Sequence, residues 1–325
     1  MKNKHNSAGI WAFLGIFLLI LDGKTAISGA QSGLKLCIHT VIPSLFPFIL
    51  LTNILSGALI GTSIPLLKPA AHKMGIPDGG ESLLVPMFLG GYPLGAAAVG
   101  SAYQKGELSR KSAERMLYFC SNAGPAFVFG VLSAVFPEQS YLWAMWGIHI
   151  LSAFLIALWI PKSPDKAAVS GHSVTLPEAM NGAVRTIASI CGWILCFRVI
   201  LAAADHWILR LFPHWLQIFL TGSLELTNGC LRLKELTALP LRFSMACVLL
   251  SAGGLCVFMQ TSSVIGDLDI RNYMAGKALQ AGLSLLFSLC FLWNTAIFFG
   301  LVFCFLAVSA IPSQKRSRKS LSYGV

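Results

Sequence analysis

Two apolar segments between Ser82 and Phe136 are long enough to enter a bilayer, yet each is interrupted at its middle. Gly90-Gly91-Tyr92-Pro93 breaks the first and Ser121-Asn122-Ala123-Gly124-Pro125 the second. Proline removes a backbone donor and glycine loosens a helix, so each break frees amide and carbonyl groups at a depth without bulk water. Something has to satisfy them. In transporters, helices broken at mid-membrane aim their freed backbone at a substrate or ion. The plainer alternative is a pair of proline-kinked helices packed on small residues.

Of the 325 residues 55% are hydrophobic and 11% charged, with a mean hydropathy of +0.71. This places the chain with all-α polytopic membrane proteins and leaves room for roughly seven to ten segments of about 20 residues each. The formal charge of +11 gathers in short loops and at the two ends, where basic residues set membrane orientation, so a nucleic-acid partner is not expected. Nine cysteines, odd in number and without CxxC spacing, read as small buried hydrophobes rather than as a disulfide framework or a metal site. No HExxH, GxSxG, P-loop or pair of catalytic carboxylates occurs, so neither enzyme chemistry nor a cofactor is expected.

The basic start MKNKH precedes an apolar run, Ile10 to Leu21. It suits either a cleavable signal or an uncleaved first helix, and Asp22-Gly23-Lys24 favours the helix, with a cytoplasmic N-terminus. Ala30 to Leu59 follows as a polar lead-in, with Lys35 and His39 at the membrane surface, and an apolar run containing Pro43 and Pro47. Lys105, Arg110, Lys111 and Arg115 make the loop Gln104 to Arg115 cytoplasmic. Leu83 to Tyr103 then cannot cross. It is expected to be a re-entrant hairpin turning at Gly90 to Pro93, after which Met116 to Phe136 crosses outward. Tyr141 to Ile160 is a plain span, with His149 near its middle and no visible partner.

The polar connector Pro161 to Pro177 divides the chain near its midpoint, and the order of features recurs beyond it. Glu178 to Ala204 is a lead-in and span, Trp215 to Leu233 an interrupted hairpin, and Ser244 to Val264 a broken helix, with AGGLCVF (Ala252 to Phe258) set against AGPAFVF (Ala123 to Phe129). With one extra span between the halves, this predicts an inverted-repeat, transporter-like bundle with two re-entrant hairpins. The charge rule is then violated at Arg232, Lys234 and Arg242. The expected division is an N-terminal helix (1–29), a first repeat (30–136), a connecting span and linker (137–177), a second repeat (178–266) and a C-terminal membrane part with basic tail (267–325). Within the last, Asp267 to Lys277 reads as a short polar helix returning to the surface. Ala278 to Ala310 crosses once or twice, and the basic tail is cytoplasmic.

Glu225 lies in an apolar run, where a lone carboxylate must be paired, neutral or bound to a cation. Its nearest expected partners are Thr227 and Asn228 in the same turn and Arg198, the last as a structural pair, in substrate or proton coupling, or snorkelling to the surface. Candidate solute-binding groups are Gly91, Tyr92, Pro93 and Gly95 on the first hairpin and Asn122, Gly124 and Pro125 at the first break. The second half adds Glu225, Thr227, Asn228 and Gly229, then Ser251, Gly253, Gly254 and Gln260. Uncharged polar groups around open backbone suit a nucleoside-like solute, and equally suit hydrogen bonds between helices.

The block Gly90 to Gly130 (GGYPLGAAAVGSAYQKGELSRKSAERMLYFCSNAGPAFVFG), with PSLFPFIL at Pro43 to Leu50 and LELTNG at Leu224 to Gly229, resembles the nucleoside recognition (Gate) domain proteins, which include integral membrane proteins of sporulation. The resemblance runs from Leu34 to about Val264. It implies a multi-pass protein of the bacterial plasma membrane, related in plan to concentrative nucleoside transporters, with paired hairpins facing a central site and a role in spore formation. The expected partners, from the residues themselves, are the lipid bilayer, a small polar solute and further copies of the chain. No sodium-site signature carries over.

Overall fold

The computed structural model describes residues 15–17, 19–59, 65, 67–77, 79–162, 174–296, 298–300 and 302–303. The start of the Ile10 to Leu21 run, most of the polar connector and the basic tail lie outside these residues. Every regular element described is helical.

Helix α1 covers Gly23–Leu59, starting at Asp22, whose carboxylate caps it by accepting from the Thr25 amide. Its turn over Cys37–Val41 is widened, with the Ile42 amide reaching back to the Cys37 carbonyl. Pro43 follows directly. A proline has no amide to give and its ring crowds the preceding turn, and the wider turn accommodates both. At 37 residues α1 is about 55 Å long, well beyond the roughly 30 Å of a hydrocarbon core, so part of it tilts or projects. After the short α2 (Lys68–Lys73), α3 (Leu84–Phe88) and α4 (Leu94–Gln104) form a hairpin around Gly90 to Pro93. Helix α5 (Arg110–Met116) is capped by the Ser109 hydroxyl. The chain is then non-helical from Ser121 to Gly124, and a widened helical turn over Ala126–Val131 resumes it. Helix α6 is Gln139–Trp159.

The second half also opens on a long helix and continues through a hairpin. Helix α7 (Leu176–Trp207) starts from a reciprocal cap between Thr175 and Glu178. Helices α8 (His214–Leu224) and α9 (Leu226–Arg232) form a hairpin broken at Glu225. Helices α10 (Leu239–Ala252) and α11 (Gly254–Val264) are separated at Gly253, whose φ of 79° only glycine adopts without strain. Helix α12 is Ile270–Trp293.

Helices α1 and α7 pack antiparallel. Gly29 lies against Arg198 and Ala202, the Cys37 thiol is 3.9 Å from the Cys191 carbonyl, and the Asn53 amide donates to the Ala179 carbonyl at 3.2 Å. Small residues hold the seam, as expected where apolar lipid gives no hydrophobic drive to helix pairing. One buried cluster joins Ala123, Phe127 and Val131 to Leu226, Phe243 and Val257, so the first break packs directly on the second-half hairpin and broken helix. A second surrounds Met87, Met116, Cys120 and Tyr273.

Five described helices are long and apolar enough to cross a membrane: α1, α6, α7, α10–α11 and α12. Among the described residues the hairpins and α5 are built from helices of 5 to 11 residues, too short to count among the seven to ten full spans expected from length. The expected surface helix Asp267 to Lys277 is also corrected. Asp269 caps a single 24-residue helix, and Lys277 lies inside it, 5% exposed. Helix α12 is capped at Asn294, where Asn294-Thr295 interrupts the apolar run that began at Ala278.

Candidate functional site

The tip of the first hairpin, the first break and the tip of the second hairpin meet around a cavity of about 50 Å³. Of the sequence candidates, Gly91, Tyr92, Gly124, Glu225, Thr227 and Gln260 line it. Leu45 and Ile49 of α1 and Ile190 and Ile194 of α7 close its apolar side.

Glu225 is the acidic group at this cavity, 2% exposed. It occupies the extended residue between α8 and α9, and its two oxygens accept from the amides of Thr227 (3.0 Å) and Asn228 (2.8 Å) at the start of α9. The Asn228 side-chain amide also donates to it. Charge-assisted bonds to free amides at a helix start offset much of the cost of burying a carboxylate. The expected Arg198–Glu225 pair does not form. Arg198 instead turns across the α1–α7 seam to the Ser32 hydroxyl, because its residue faces α1 and the amides of α9 already hold Glu225. Arg198 and Asn228 share a wider polar cleft with Asp205, Arg210, Gln217 and Arg232.

Other candidates serve as seams. A Cβ on Gly95 would lie 1.8 Å from the Cys120 carbonyl oxygen, and one on Gly229 would lie 2.0 Å from the Gly222 Cα. Gly254 abuts the Gly222 carbonyl, and Gly124 lies against Leu89 and Gly91. Pro93 precedes α4 and Pro125 precedes the widened turn, both as residues that start a helix. Much of the backbone freed at the breaks therefore packs on other backbone.

Beside the cavity lies a buried polar network. The Asn122 side chain gives both amide protons to backbone carbonyls, Met87 at 3.1 Å and Phe119 at 2.8 Å, so its oxygen must face Gln280. Gln280 donates to that oxygen (2.9 Å) and to the His149 carbonyl (3.0 Å), which leaves its own oxygen for Lys277 at 2.6 Å. His149, 1% exposed, accepts the Ala123 amide on Nε2 at 2.9 Å. Its proton is therefore on Nδ1, 3.0 Å from the Ser251 hydroxyl. From Ser251 the bonds continue to Ser284 (2.7 Å), Ser152 (3.2 Å) and the Ile148 carbonyl (2.8 Å), each hydroxyl passing its one proton onward.

Sequence reading placed Asn122 and Ser251 here and missed Lys277, Gln280 and Ser284, while His149 had no partner. A signal existed. Tyr273, Lys277, Gln280, Ser284 and Ser288 recur at three- and four-residue spacing, a polar stripe along an apolar helix, and all are buried.

In sequence the chain is similar to the sporulation integral membrane protein YlbJ of Bacillus subtilis (strain 168), 24% identical across 78% of this chain and 74% of that protein. It matches no family model and no solved structure.

Proposed function

We propose that this multi-pass membrane protein is a transporter or solute-binding protein for a small polar, nucleoside-like solute, acting in spore formation. The observation that carries the reading is the convergence of both interrupted hairpins on one cavity holding the buried Glu225. The antiparallel α1 and α7, each opening a half that continues through a hairpin, support an inverted repeat. The similarity to YlbJ, a sporulation integral membrane protein by name, supports the setting. In this reading the protein sits in the bacterial plasma membrane with both ends in the cytoplasm.

A cavity of about 50 Å³ holds a water or two, whereas drug-sized ligands occupy roughly 300 Å³ or more. A nucleoside therefore enters only when the hairpin tips part, with Gln260 and Thr227 offering hydrogen bonds and Glu225 a carboxylate. The same tight packing favours a second reading, a non-transporting assembly factor of the spore-forming cell that keeps the transporter plan. Uptake into proteoliposomes over a panel of nucleosides, bases and small anions separates the two. Saturable uptake of a panel member supports transport. Flat results with folded protein support the assembly role.

A further inference from the structure

Lys277 is a buried cation in a membrane-length helix, and among the described residues no carboxylate pairs with it. Its ammonium has three close oxygens: the Ser121 carbonyl (2.9 Å), the Gln280 side-chain oxygen (2.6 Å) and the Tyr92 hydroxyl (3.0 Å). All three can only accept. The carbonyl has no proton. The Gln280 oxygen is fixed toward Lys277 through Asn122 and, beyond it, the Met87 and Phe119 carbonyls. The Tyr92 proton is committed to the Leu250 carbonyl at 2.7 Å. Three acceptors match the three protons of an ammonium, whereas a free amine would leave one of them without a donor.

The setting draws in positive charge from both halves. Ser121 supplies a carbonyl freed at the first break, and Leu250 lies in the last turn of α10, just before the second. Carbonyl-bearing helix ends carry partial negative charge, and unwound carbonyls are how broken membrane helices hold cations. One ammonium answers both ends, directly at Ser121 and through the Tyr92 hydroxyl at Leu250. The Tyr92 ring centroid lies 4.9 Å from the nitrogen. Among the other titratable neighbours, Cys120 and Tyr273 carry no charge at neutral pH and His149 is held neutral by the Ala123 amide.

We infer that Tyr92, Ser121 and Gln280 form a monovalent-cation site that the Lys277 ammonium fills, so that no free metal cation binds at this junction. The inference does not need the solute to be known, and it stands or falls apart from transport. Where transport operates, it is independent of sodium at this site.

The experiment is thermal unfolding of the purified full chain in detergent under matched concentrations of sodium chloride, choline chloride and propylammonium chloride. Lys277→Ala removes three methylenes and the ammonium, the shape of propylammonium. Its melting temperature should fall, then rise saturably with propylammonium and not with choline, while wild type is the same in all three salts. A Lys277→Ala variant indifferent to propylammonium overturns the inference. So does a saturable, sodium-specific stabilisation of wild type abolished by Gln280→Leu. The wild-type arm decides if Lys277→Ala does not fold.

Discussion

Tyr92 and Lys277, 185 positions apart in the chain, share a 3.0 Å hydrogen bond in which the phenol oxygen accepts from the ammonium while its proton goes to Leu250. Tyr92→Phe keeps the ring and removes both bonds, leaving the Leu250 carbonyl unpaired and Lys277 with two acceptors. The expected cost is about 1–3 kcal/mol. It is read as an earlier thermal unfolding transition than that of Tyr103→Phe, whose hydroxyl makes only an exposed contact to Asp267.

His149 should behave as a structural acceptor. His149→Ala strands the Ala123 amide at the first break and removes the donor to Ser251, at a cost of about 2–4 kcal/mol from the lost bonds and the space left behind. Hydrogen exchange of the Ala123 amide should accelerate in this variant. Unchanged protection there would remove the assigned role.

Glu225 has two duties that substitution separates. Glu225→Gln retains one oxygen for the α9 amides, so folding should survive. Loss of the charge exchanges charge-assisted for neutral bonds, and solute uptake should fall by about tenfold or more. Glu225→Ala also removes the cap and should cost about 1–2 kcal/mol. Wild-type uptake by the Gln variant would exclude a role for the carboxylate charge.

The two hairpin seams make a paired steric prediction. Gly95→Ala and Gly229→Ala each place a methyl within 2.0 Å of backbone atoms that have no rotamer to change. Each should cost about 1–3 kcal/mol or more. Gly192→Ala, where nothing lies within 4 Å, should leave unfolding unchanged.

The breaks were legible because Gly91-Tyr92-Pro93 and Ala252-Gly253-Gly254 carry local backbone chemistry that no long-range contact is needed to read. The second hairpin was legible only roughly. Its interruption falls at Glu225, and Asn228 and Gly229 lie inside α9. Lys277 was misplaced because a lysine near Asp267 and Arg271 reads as surface, and its oxygen partners, Tyr92 and Ser121, come from the other half of the chain. Arg198 was misassigned for the same reason. Its choice of Ser32 over Glu225 depends on how α1 and α7 pair, which composition does not encode.

The proton order from His149 through Ser251, Ser284 and Ser152 to the Ile148 carbonyl is dictated at both ends, by a peptide amide at one and a peptide oxygen at the other. A relay so pinned has a single ground state and nothing to toggle. It makes α6, α10 and α12 the anvil of the molecule, and any opening stroke belongs to the hairpin tips that close against it.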